Sequence, residues 1–136
     1  MTRTRHSNRR GIATVELVVL LPLLALLVVI AVDWGRIFYY AVVIDNCARN
    51  GVIYANDPFS IVGSPYASLT QAALADAPNL SPPPTVSSST GTDGNGNYVD
   101  CTVTYNFQTI TSFPGVPITT TITRTARIYQ APQVPS

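Results

Sequence analysis

The sequence predicts an α+β protein in which a long N-terminal helix, transmembrane in its first half and amphipathic in its outer half, packs on a small antiparallel β-sheet. Three observations carry this. Residues 12–32 form an almost unbroken apolar run, residues 34–55 continue with apolar residues at helical spacing, and two later segments alternate polar and apolar residues with a period of two. The expected organisation is a basic leader at 1–11, a membrane helix at 12–32, its amphipathic extension at 33–56 and an outer domain at 57–136.

The leader shows in the charge distribution. All eight basic residues are Arg, and four of them, Arg3, Arg5, Arg9 and Arg10, fall in the first ten positions without an acid. From Gly11 onward four Arg face seven acids, so the formal net charge of +1 describes neither part. A basic footprint confined to ten residues has no surface along which to follow a phosphate backbone, so no nucleic-acid partner is expected. With 136 residues and an apolar run near one end, the chain also lacks the length for a large enzyme cleft.

From Ile12 to Val32 only Thr14, Glu16 and Pro22 are not plainly apolar. At 1.5 Å per residue such a helix spans about 32 Å, close to the hydrocarbon thickness of a bilayer. Basic residues beside a span resist translocation, which keeps the N-terminus cytoplasmic and sends the chain after Val32 outside. The expected location is therefore the inner (cytoplasmic) membrane, crossed once. A buried core helix is disfavoured, because the rest of the chain has too little apolar surface to wrap it. A cleavable secretory signal ending at Val29-Ile30-Ala31 is a closer rival, but the run exceeds the roughly 7 to 15 residues of an ordinary signal core and the helical pattern continues past it. Pro22 removes one backbone hydrogen bond and is expected to bend the helix.

Glu16 lies five residues into the apolar run, where an ionised carboxylate costs a few kcal/mol unless it is paired or near water. It could simply snorkel at the cytoplasmic edge. The preceding residues, Arg9-Arg10-Gly11-Ile12, suggest a second reading. Cleavage after Gly11 would leave an ammonium group on Ile12, about one helical turn from Glu16, and supply a counter-charge within one chain or between neighbours.

These residues, with the Leu17–Leu24 run, Asp33-Trp34-Gly35-Arg36 and Asn46-Cys47-Ala48-Arg49-Asn50-Gly51, resemble prepilins of the type IV pilus superfamily, and within it the TadE-like minor pilins of tight-adherence (Tad) pilus systems. The resemblance covers about Arg9 to Ala55, with a weaker echo in the Thr-rich C-terminal strands. It implies a pilin-like fold and processing between Gly11 and Ile12 by a prepilin peptidase. It also implies an assembly platform and other pilin subunits as partners, in a homo- or hetero-oligomer. Two departures stand out: Ile12 occupies a place usually held by Phe or Met, and Glu16-Leu17 stands where the small major pilins have Glu-Tyr.

Beyond the span, Trp34, Ile37, Ala41, Ile44, Ala48 and Gly51 recur at steps of three, four and seven, a heptad-like packing stripe that continues to Ala55. It can face the protein's own outer domain or the stems of other subunits. Asp57-Pro58 is expected to end the helix. Ser64-Pro65 reads as the capped start of a short helix to about Ala77, and Ser81-Pro82-Pro83-Pro84 as an extended connector. Tyr98 to Phe107 places Val99, Cys101, Val103, Tyr105 and Phe107 on one side of a strand. Ile118 to Tyr129 alternates less strictly through Ile118, Ile122, Ala126 and Ile128, and Thr85 to Ser89 adds a short third strand.

Cys47 on the stem and Cys101 on the apolar side of a strand are candidates for a disulfide in an oxidising compartment. Such a bridge would contribute roughly 4 kcal/mol in the chain-entropy model, and two buried free thiols are the alternative. Asp93, Asn95 and Asn97 have the spacing of a calcium loop, but Tyr98 stands where the loop needs Gly and Thr104 where it needs Glu, so a Gly/Asn-rich turn accounts for them without a metal. The one His, His6, lies in the leader and Lys is absent, so catalysis is not expected and no cofactor is implied. The expected function is structural: a pilus-assembly and adhesion component acting through helix packing in the lipid bilayer or a filament. The alternative is an uncleaved, membrane-anchored binding module that uses the Asp93 loop with Tyr98 and Tyr105.

Overall fold

The computed structural model describes residues 9–56, 63–110 and 118–130, and for 9–13 the backbone alone. A single helix, α1 (Arg9–Asn56), runs through 48 residues, about 72 Å at the ordinary rise, and stays helical through Pro22. From Thr14 to Val32 nearly every side chain is exposed, and the helix is long and apolar enough to cross a membrane. The expected helix end at Asp57-Pro58 lies outside the described residues.

The short helix α2 (Leu69–Leu74) begins later than Ser64-Pro65 suggests. The cap is Ser68, whose Oγ accepts the Gln71 N–H at 3.2 Å, while Gln71 Oε1 accepts the Ala67 N–H at 2.9 Å. This exchange satisfies two backbone donors where the helix starts. Ser64 instead closes a local turn, its Oγ accepting the Tyr66 N–H at 3.1 Å. The Ser81–Pro82 bond in the connector is cis.

Three strands follow, β1 (Thr85–Asp93), β2 (Gly96–Gln108) and β3 (Thr119–Tyr129), in an antiparallel sheet of order β1-β2-β3. β1 continues four residues past the expected Ser89, because Gly91 admits the Tyr98 ring from β2, 2.5 Å from where a Cβ would stand, and the ladder runs on to Asp93↔Gly96. The two-residue loop between these strands, Gly94-Asn95, leads into Gly96, with φ +121°, a conformation that favours glycine.

The alternation in β2 decides the packing. Val99, Cys101, Val103, Tyr105 and Phe107 are all buried, and the last four share one core with Ile44, Cys47, Ala48 and Val52 of α1, with Ala73 and Ala77 closing the core near α2 and Ile122 on β3. The opposite face carries cross-strand hydroxyl pairs, Thr102–Thr125 at 2.8 Å and Thr104–Thr123 at 3.2 Å. Ile118, expected on the buried side of β3, is instead 64% exposed, because it precedes the strand at the sheet end and the inward pattern starts at Ile122.

Candidate functional site

The sheet covers only one side of the outer half of α1. β2 runs antiparallel to α1: Cys101 lies against Gly51, Tyr105 and Phe107 against Tyr40, and Ile110 against Asp33. The Asp93–Gly96 turn is thus at the end away from the apolar span, and the end of β2 with the start of β3 is at the end beside it.

Of the predicted stripe, Ile44, Ala48 and Gly51 are buried beneath the sheet, Ile37 and Ala41 are half-buried, and Trp34 is 51% exposed. Most of the stripe therefore serves the protein's own domain. Gly51 is required by close approach, since a Cβ built there would run into Cys101 Sγ. The other side of the helix carries Phe38, Tyr39, Val42 and Ile53, all more than half exposed. By helical phase these residues continue the line of Leu17, Leu24 and Val28 in the apolar run, forming an apolar face from the run to Val42, after which the exposed Asn46 and Arg49 separate it from Ile53. Hydrophobic spacing alone did not single out this second face, because both sides of the stem carry apolar residues.

Glu16 is exposed on the apolar half of α1. Gly11 and Ile12 belong to the α1 backbone; their side chains and the leader through Asn8 lie outside the described residues.

At the inner end of the stem, Asp33 is only 2% exposed. Its Oδ1 accepts the Ile110 N–H at 3.3 Å and lies 3.6 Å from Arg36 Nη1. The Arg36 guanidinium sits 5.0 Å from the centre of the Phe107 ring, close enough for a cation–π contact. Asp33 joins helix to sheet where the apolar run ends, a role not assigned to it from the sequence. The available sequence signal was an acid directly after a span, three residues before an Arg. At the far end, Asn50 Nδ2 donates to Asp76 at 2.9 Å and Tyr54 OH to the Tyr66 carbonyl at 3.1 Å.

Cys47 and Cys101, the candidates for a disulfide, are brought into one core, both buried and unbridged. The Cys101 thiol packs against Gly51, one turn beyond Cys47. Burial, followed by the nearby Asp76 charge and then Cys101, pushes the Cys47 thiol up to about 11, and burial also raises that of Cys101.

In the Asp93 loop the side-chain oxygens of Asp93 and Asn97 are engaged by the protein. Asp93 Oδ1 accepts the Asn95 N–H at 2.8 Å, Asp93 Oδ2 accepts Tyr129 OH at 3.0 Å, and Asn97 Oδ1 accepts Thr92 Oγ1 at 2.7 Å. Beside them Arg127 makes a two-pronged pair with Asp100, at 2.7 and 2.8 Å, and lies 3.7 Å above the Tyr98 ring. This Arg127 hydrogen bond holds the Asp100 carboxyl below its usual value. Among the described residues no group of three His, Cys, Asp or Glu could hold a metal ion. Tyr98 and Tyr105, paired in the binding-module reading, lie on opposite faces of β2, with Tyr105 buried against Tyr40.

No curated protein and no solved structure matches the chain significantly. A family model described as TadE-like protein matches residues 11–52, which takes in the apolar run, Glu16, Asp33, Arg36, Cys47 and Gly51, and leaves the sheet outside. Over residues 11–52, most of the long helix, the chain is similar to the TadE-like family, consistent with a pilin-related protein of Tad systems.

Proposed function

We propose that this chain is a minor pilin-type subunit that works in the assembly of a Tad pilus, and in the adhesion the pilus confers, by packing α1 against the helices of other subunits. The single observation that carries this is the apolar face running from the span through Phe38 and Val42, on the side of α1 away from the sheet. A helix that served only as an anchor would have no need of an apolar outer face beyond the bilayer.

In this reading α1 enters the inner membrane with the Arg-rich leader cytoplasmic and the sheet domain outside. The prepilin peptidase cuts between Gly11 and Ile12, and the assembly platform draws the mature helix toward its neighbours. Glu16 then pairs with an Ile12 ammonium and sets register, since a charge in hydrocarbon is tolerated only at the depth where its partner lies. The competing reading, an uncleaved membrane-anchored binding module, draws less support because its aromatic candidates lie on opposite faces of β2.

The test is the mass of the mature chain together with its location. Loss of residues 1–11 and recovery of a C-terminally tagged chain in sheared pili are the expected results. An intact N-terminus on a chain confined to the membrane would overturn the proposal in favour of the anchored module.

A further inference from the structure

The sheet ends beside the apolar run in a small apolar rim. Thr109 closes the β2–β3 ladder, its N–H donating to the Ile118 carbonyl at 3.1 Å and its hydroxyl to the same oxygen at 3.3 Å. The next residue, Ile110, donates its N–H to Asp33, the first residue after the apolar run. Ile110 and Ile118 therefore stand at the level of Asp33, and they are 70% and 64% exposed. Trp34, on the next position of α1, is 51% exposed at that level. Farther along, the outer face of the sheet is largely Thr, Ser, Asn and charged residues, so the rim is a local departure from a polar surface.

We propose that this end of the sheet domain rests in the interfacial layer of the bilayer that α1 enters, with Ile110, Ile118 and Trp34 immersed at the boundary between headgroups and acyl chains. The inference depends on the reading of residues 12–32 as a membrane span. Continuity selects lipid as the occupant, because the rim begins where the span ends and Asp33 binds the two together. An indole at that depth keeps its N–H near water and its ring among lipid, the arrangement that enriches Trp at membrane interfaces. Buried Asp33 also restrains the sheet from swinging away from the helix, so contact at Ile110 and Ile118 sets the standing orientation of the domain. The Asp93–Gly96 turn then points away from the membrane.

Depth-resolved fluorescence quenching tests this in the full chain reconstituted into phosphatidylcholine–phosphatidylglycerol vesicles. Trp34 is the one native Trp, so the unaltered protein is measured first. Ile110→Trp, Ile118→Trp, Leu24→Trp and Ser89→Trp are then each placed in a Trp34→Phe background, with circular dichroism confirming the fold. Lipids brominated near the carbonyl report the interface, lipids brominated near the chain end report the bilayer centre, and iodide reports water.

The expected result is blue-shifted emission at positions 34, 110 and 118, with stronger quenching by shallow than by deep bromolipid and protection from iodide relative to position 89. Iodide quenching at 110 and 118 equal to that at 89, without lipid quenching, overturns the proposal while deep quenching at 24 preserves the span. Shielding of 110 and 118 from both lipid and iodide also overturns it, by showing that protein covers the rim. Failure of deep quenching at 24 removes the span itself, and the inference falls with it.

Discussion

Asp33 accepts the backbone N–H of Ile110 at 3.3 Å, across 77 positions of sequence, and so ties the chain two residues past β2 to the helix at the end of its apolar run. The carboxylate also faces Arg36, which is held in turn over the Phe107 ring. Asp33→Ala leaves the Ile110 N–H without this partner and the Arg36 charge without its acid. A loss of about 1–3 kcal/mol is expected, read by denaturant unfolding in detergent, with faster amide exchange at Ile110. Unchanged exchange there would show that the tie contributes nothing.

Gly51→Ala introduces a Cβ into space occupied by Cys101 Sγ, in a fully buried contact. The helical preference for Ala, about 1 kcal/mol, works in favour of the substitution, and overpacking of roughly 1–3 kcal/mol works against it. Net destabilisation is expected. Combining it with Cys101→Ala, which removes the sulfur, should cost less than the two single changes together. Additivity in that double-mutant cycle would contradict the close approach.

The raised Cys47 thiol gives a pH dependence with a definite sign. The folded chain holds the proton up to about 11, against an ordinary value of 9.0. The stabilisation from the protonated, buried thiol is fully present below pH 9 and is lost as pH rises through 11. In reduced protein, alkaline unfolding should therefore set in across that window, and Cys47→Ala should remove much of the slope. Protein in which Cys47 and Cys101 are oxidised to a bridge has no thiol to ionise and should lack this slope, so melting curves with and without reductant distinguish the two states.

Glu16→Ala should leave insertion of α1 into membranes intact, since it removes a charge from an apolar run, while lowering the yield of sheared pili several-fold. Carbonate extraction measures the first effect and immunoblotting of sheared filaments the second. Normal pilus yield would exclude a registry role for Glu16.

Phe38→Asp with Val42→Asp places charge on the outward face of α1 without touching the core, because both residues are more than half exposed. The isolated protein should unfold at nearly its original temperature, and incorporation into pili should fail. Efficient incorporation would show that this face is not used in assembly.

The long helix and the inner face of β2 were legible in the sequence for one reason: burial leaves a period. Eighteen apolar residues in the twenty-one positions from Ile12 to Val32 allow few structures other than a spanning or buried helix, and Val99 to Phe107 alternates strictly. The start of α2 was misplaced because Ser64 and Ser68 are both competent caps, and only Gln71 reaching back to Ala67 selects the second. The rim at Ile110 and Ile118 was hidden, since an apolar residue at a strand end reads as core until its neighbours are known.

The sequence by itself determined that a basic leader precedes an apolar span, that the span continues into a helical stem, and that a Thr-rich antiparallel sheet follows, because each is a local pattern of charge or hydrophobic period. Tertiary structure decided which side of the stem the sheet covers, that Cys47 and Cys101 share one core, and that Asp33 meets Ile110. Those outcomes depend on side chains 50 to 77 positions apart competing for the same space and the same hydrogen bonds, and no local period records that competition.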